Sequence, residues 1–221
     1  MRSSLAVCVV CLAVATSSVL ADQALQSGPQ PGQEMSGPLQ PLHATGEWAG
    51  KFHCPVCEAG LNSAVLIFAR DMPQPGQPPV QLLQGLEAAM EQHPGSPAEA
   101  AVIFITDGDY KAALGGKIDD KAKVTAQHLT QAITAKDQLV GELTGLADAA
   151  KLKRVMLALA AAEDVKDYRL NKDAVVTVIG YSRHKVLVNR AFAKNQLTDA
   201  EVKKLLAELS KDLPVIGVPK Y

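Results

Sequence analysis

Residues 174–188, Ala174-Val-Val-Thr-Val-Ile-Gly-Tyr-Ser-Arg-His-Lys-Val-Leu-Val188, decide the fold. Two β-branched runs, Ala174–Ile179 and Val186–Val188, flank the polar stretch Ser182-Arg-His-Lys185, and the whole reads as a β-hairpin. Ten residues further on, Thr198-Asp-Ala-Glu201 is a capping box. It opens a helix whose inner face is Val202, Leu205, Leu206, Leu209 and Leu213. The chain therefore closes on a hairpin and then a helix.

Upstream the pattern alternates. Ala64-Val-Leu-Ile-Phe-Ala69 and Ala101-Val-Ile-Phe-Ile-Thr106 are short apolar runs, the mark of strands buried on both faces. Val155–Ala160 is a third strand candidate. Between the first two, Val80–His93 carries Leu82, Leu83, Leu86 and Met90 on one helical stripe, stopped by Pro94-Gly95. Asp119–Ala150 is helical by period, with Gly141 and Gly145 expected to split it in two. Strands alternating with helices ask for a parallel sheet, and the hairpin adds antiparallel strands. The expected class is α/β: a mixed β-sheet flanked by helices, in the thioredoxin-like arrangement.

The chain has 22 Lys and Arg against 23 Asp and Glu, and 4 % aromatic residues. With no basic block, a nucleic-acid partner is not expected. Arg2, the apolar run Leu5–Ala15 and Val19-Leu20-Ala21 read as a cleavable signal peptide, residues 1–21, too short to span a bilayer. The mature chain is expected to begin at Asp22, outside the cytoplasm (secreted or periplasmic), with no transmembrane segment. Residues 22–42 form a Pro-, Gly- and Gln-rich lead-in that cannot make a long regular element. One domain, residues 43–221, follows.

Cys54 and Cys57, in Lys51-Phe52-His53-Cys54-Pro55-Val56-Cys57-Glu58, are the cysteines left once Cys8 and Cys11 go with the signal peptide. A C-x-x-C in an exported chain is a redox dithiol, a short structural disulfide, or half of a metal site. A metal would need two further ligands, for which His43 and His53 are the nearest candidates. A c-type haem would need His where Glu58 stands, and no cofactor is expected. Gly50 and Gly60 bracket the pair, which places it in a hairpin or loop, within disulfide reach and off any helix N-terminus. Cys54 is the expected nucleophile, because the first Cys of such a motif is usually the exposed one. Trp48 is a packing residue beside this hairpin, or a shade over the pair.

The chain resembles the secreted thioredoxin-like proteins of planctomycete-type bacteria. Ser27-Gly-Pro-Gln-Pro-Gly-Gln33, Pro41-Leu-His-Ala-Thr-Gly46 with Ala49-Gly-Lys51, the Cys pair ahead of Ile67-Phe-Ala-Arg70, Lys185-Val-Leu-Val-Asn189, and Ala191-Phe-Ala193 before Leu197-Thr198 carry the likeness, which covers about residues 27–213. Residues 108–136 are longer than it requires and read as a helical insertion. In redox thioredoxins the C-x-x-C follows the first central strand at a helix N-terminus, where free N–H groups stabilise a thiolate. Here Asp71–Pro79 holds that place without a Cys. The proline expected before the strand at Ala174 is replaced by Asn171-Lys172-Asp173. The resemblance thus implies a thioredoxin-like domain that is non-catalytic or weakly redox-active, with a Cys54–Cys57 disulfide and an unknown protein partner. The alternatives are a thiol–disulfide oxidoreductase using Cys54 and Cys57, and a metal-binding protein.

Ile105-Thr106-Asp107-Gly108-Asp109 reads as a strand-end turn. His93, His128 and His184 read as solvated residues. No G-x-S-x-G, Gly-rich phosphate loop or H-E-x-x-H is present.

Overall fold

The computed structural model describes residues 25–106 and 126–213. The signal peptide, Asp107 and residues 108–125 of the expected insertion lie outside the described residues. The elements are β1 (Leu42–His43), α1 (Pro55–Ala59), β2 (Ser63–Ala69), α2 (Pro78–Glu91), β3 (Glu99–Thr106), α3 (Ala126–Ala150) and β4 (Val155–Ala161). A 3-10 turn (Ala162–Tyr168), β5 (Val176–Ser182), β6 (Lys185–Phe192) and α4 (Asp199–Asp212) complete the chain.

One six-stranded sheet runs in the order β1-β4-β3-β2-β5-β6. β2, β3 and β4 are parallel, β5 returns antiparallel beside β2, and β6 pairs antiparallel with β5. The two crossovers explain that order. Parallel neighbours need a crossover, and α2 and α3 supply them on the same face of the sheet, so each new strand is laid down one place further out. The hairpin turn is Arg183-His184, both with positive φ (52° and 59°), which is the backbone a two-residue turn needs to match strand twist. Thr198 caps α4 as the sequence predicts, accepting the Glu201 N–H at 3.3 Å.

The sheet is buried on both faces. Val65, Ile67, Val102, Phe104, Leu157 and Val178 face α2, the end of α3, and α4. Helices α2 and α4 touch at Gly85, where a Cβ would collide with Leu206. The opposite face carries Leu66, Phe68, Ile103, Ala158, Ile179 and Tyr181. Among the described residues no long helix covers it. The cover is α1, the 3-10 turn with Val165 and Tyr168, and the lead-in with Met35 and Leu39. The lead-in is tied down by side chains and backbone. Ser27 Oγ bonds Thr177 Oγ1 at 2.7 Å, Asn189 Nδ2 donates to the carbonyls of Ser27 and Pro29, and Tyr168 O–H donates to the Gly37 carbonyl.

Helix α3 corrects the expected break at Gly141 and Gly145: it is continuous over 25 residues. Both glycines point into open space, while Leu143, Leu146, Ala147 and Ala150 bury one stripe, and that burial outweighs a cost of about 1 kcal/mol per glycine. Nearer the start of α3, Ile133 is 38 % exposed.

Candidate functional site

Residues 42–52 fold back on themselves. The His43 N–H donates to the Lys51 carbonyl (3.0 Å), the Gly50 N–H to the His43 carbonyl (2.8 Å), and Leu42 bridges Phe52 antiparallel. Gly46 and Gly50 supply positive φ, 82° and 77°, where the return bends. Its outer limb is β1, paired with β4 at the sheet edge. The Cys pair follows at once.

Cys54 is the N-cap of α1, and its Sγ accepts the Cys57 N–H at 3.0 Å. The expectation that the pair lies off any helix terminus is corrected here. Pro55 in the first turn sets φ and lacks an N–H that would go unpaired, Glu58 adds an acid there, and the Cys54 sulfur takes the capping role of an oxygen. Gly60 ends the helix after five residues. Cys54 and Cys57 are disulfide-bonded with Cα atoms 5.2 Å apart, within the range the bond requires.

The exposure of the two sulfurs also departs from expectation. Cys54 is 6 % exposed, packed in one cluster with Leu39, Val56, Ala59 and Ala64, whereas Cys57 is exposed.

Three side chains frame the pair. The Trp48 ring stacks on His53, centroids 3.9 Å apart at 9°, so Trp48 stands beside the cysteines rather than in the core. Glu58 joins both: Oε1 accepts the Trp48 Nε1–H at 3.1 Å and Oε2 lies 2.8 Å from His53 Nε2. Its charge is thus engaged on both oxygens. His43 is wholly buried and donates from Nε2 to the His53 carbonyl (3.3 Å). Burial holds His43 below the usual imidazole range, opposed by its hydrogen bond to the His53 carbonyl.

Sequence reasoning missed Glu99. It opens β3 opposite Ala64 of β2, and its Oε2 has no hydrogen-bond partner. Burial, followed by repulsion from Glu58, raises its carboxyl to about 7. A carboxylate heading an otherwise apolar strand was the available signal. Tyr181, raised by burial, faces the same layer.

The place where thioredoxins carry their thiols is at the other end of β2, which at seven residues is about 23 Å long. A cavity of about 720 Å³ opens there, lined by Asp71, Met72, Val175, Phe192 and Lys194 among others. The N-terminus of α2 has little to offer an anion. Pro78 and Pro79 carry no N–H, and the Val80 and Gln81 N–H groups are both bonded to the Gln77 carbonyl.

The structure does not gather the remaining candidates. Among the described residues no group of three or more His, Cys, Asp and Glu is placed to hold a metal ion. The His43 and His53 rings are 5.8 Å apart, and the two sulfurs are bonded to each other. His184 is exposed in the hairpin turn, His93 follows α2, and the His128 side chain lies outside the described residues. Among the described residues no helix is long and apolar enough to cross a membrane.

No protein-family model matches the sequence, and neither does any curated protein. Solved structures do. An uncharacterised conserved protein of Geobacillus kaustophilus superposes with a TM-score of 0.53 at 13 % identity, covering 90 % of each chain. A candidate protein disulfide isomerase of Bacteroides thetaiotaomicron superposes at 0.51 with 12 % identity, covering 86 % of this chain and 94 % of that one. The fold is thioredoxin-like. At such identities the likeness speaks for architecture alone.

Proposed function

We propose that this protein is an exported thiol–disulfide exchange protein whose working pair is Cys54–Cys57, displaced from the usual thioredoxin position to the segment before the first central strand. The observation that carries this reading is the hydrogen bond from the Cys57 N–H to Cys54 Sγ. After reduction, that donor, besides capping α1, stabilises a thiolate on Cys54. Cys57 is open to solvent, so a partner can reach the bond. Phe52 (46 % exposed) and Leu61 (67 % exposed), close on either side in sequence, give a protein partner apolar surface to rest on.

The usual site contributes nothing to this chemistry, since it holds no thiol, so turnover is expected to fall well below that of a thioredoxin. Reduction of insulin by dithiothreitol tests this. Slow turnover, lost in Cys54→Ser and in Cys57→Ser, is the expected result; equal rates with and without the cysteines would contradict it. The competing reading is a structural disulfide, favoured by the burial of Cys54 in the core cluster.

Export rests on the signal-peptide pattern of residues 1–21. An oxidising compartment would keep the bond formed. N-terminal sequencing of the mature protein should begin at Asp22, and an intact Met1 on the exported protein would contradict the reading.

A further inference from the structure

We infer that the pair works with the opposite polarity to the usual order of its motif: Cys57 is the sulfur that bonds to the incoming thiol, and Cys54 is the sulfur released. The inference rests on the exchange reading above. It deepens it by assigning each sulfur a role.

Two independent features of the site point the same way. The first is access. Exchange needs a thiolate to approach the attacked sulfur directly, and the more open sulfur is taken first. Cys57 is exposed, whereas Cys54 is 6 % exposed and belongs to the buried cluster that holds Leu39, Val56, Ala59 and Ala64. The second is the leaving group. A sulfur departs faster when its thiolate is stabilised, and Cys54 Sγ already receives the Cys57 N–H at 3.0 Å. Access and departure select the same direction of cleavage.

A thiolate of a partner dithiol attacks Cys57 Sγ. A partner–Cys57 disulfide forms, the Cys54–Cys57 bond breaks, and its electron pair leaves on Cys54. The partner's second thiolate then attacks its own sulfur in the mixed disulfide, forming the partner's disulfide and releasing Cys57 as a thiolate. The partner loses two electrons and the pair gains two, and the protons shed by the partner's thiols are available to Cys54 and Cys57. A buried leaving sulfur has a further consequence. The released Cys54 remains beside the mixed disulfide and can reverse the first step, so a partner lacking a second thiol is returned unchanged unless Cys54 is alkylated first.

Trapping decides the assignment. The oxidised mature protein is mixed with reduced glutathione, quenched within seconds by N-ethylmaleimide, and mapped by peptide mass spectrometry. Glutathione should be found on Cys57 and maleimide on Cys54, with at least tenfold preference. In parallel, Cys57 in Cys54→Ser should react with glutathione disulfide at least tenfold faster than Cys54 in Cys57→Ser, both variants first shown to melt cooperatively. Glutathione on Cys54, or divided evenly, would overturn the assignment while leaving exchange itself intact. An absence of adduct on either sulfur, in the wild type and in both variants, would overturn the exchange reading and the assignment together.

Discussion

Glu99 and His43 pull stability in opposite directions as the pH changes. Glu99 is raised from 4.5 to about 7 in the folded protein, so between those values the unfolded chain has lost a proton that the folded chain keeps. Stability from this group is full below about 4.5 and is lost as the pH rises through 7. His43 is lowered from 6.5, so below 6.5 the unfolded chain takes up a proton first, and stability is lost on acidification. Replacing Glu99 by Gln removes one arm. Melting temperatures measured from pH 5 to 8 should show the Glu99→Gln variant gaining on the wild type toward pH 8 and falling more steeply below pH 6.5. Parallel curves for the two proteins would contradict the account. The Trp48–His53–Glu58 cluster was only partly legible at this scale. The sequence placed Trp48 near the cysteines, but stacking on His53 and the shared carboxylate depend on a backbone return set by two positive-φ glycines and the pairing of β1 with β4.

At the scale of elements, the hairpin, the capping box and the buried strands were readable because their signals are local: alternation, a cap, an apolar run. Helix α1 was not. Five residues give no period, and a Cys acting as N-cap has no place among the usual capping residues. The tie between α2 and β4 was hidden for another reason, since its partners are 67 residues apart. Glu87, 4 % exposed, accepts the N–H groups of Arg154 and Val155. The Arg154 guanidinium in turn bonds the carbonyls of Met90, His93 and Ser96 and so closes the C-terminal end of α2. Removing the Glu87 carboxylate strands the buried Val155 N–H and the part-buried Arg154 N–H. Glu87→Ala should cost about 3 kcal/mol in a urea melt, and a loss below about 1 kcal/mol would show that this tie is dispensable. Thr198→Ala removes one N-cap bond on a well-packed helix and should cost about 1 kcal/mol by the same measurement.

For the whole molecule, the architecture separates two ends of one sheet. Where β2 stops, the fold keeps a cavity and an α2 whose first two residues are prolines, with no thiol. Where β2 begins, a disulfide sits at the N-terminus of α1, Cys57 exposed and the Cys54 sulfur hydrogen-bonded. The thioredoxin-like order could be read from the closing hairpin and helix. The chemistry of the Cys pair could not, because it turns on which sulfur is buried and which N–H meets it. Equilibrating the mature protein in dithiothreitol redox buffers and counting free thiols gives the reduction potential of Cys54–Cys57. An exchange pair should titrate at a potential above about −300 mV, and a value below that would mark the bond as structural and contradict the account.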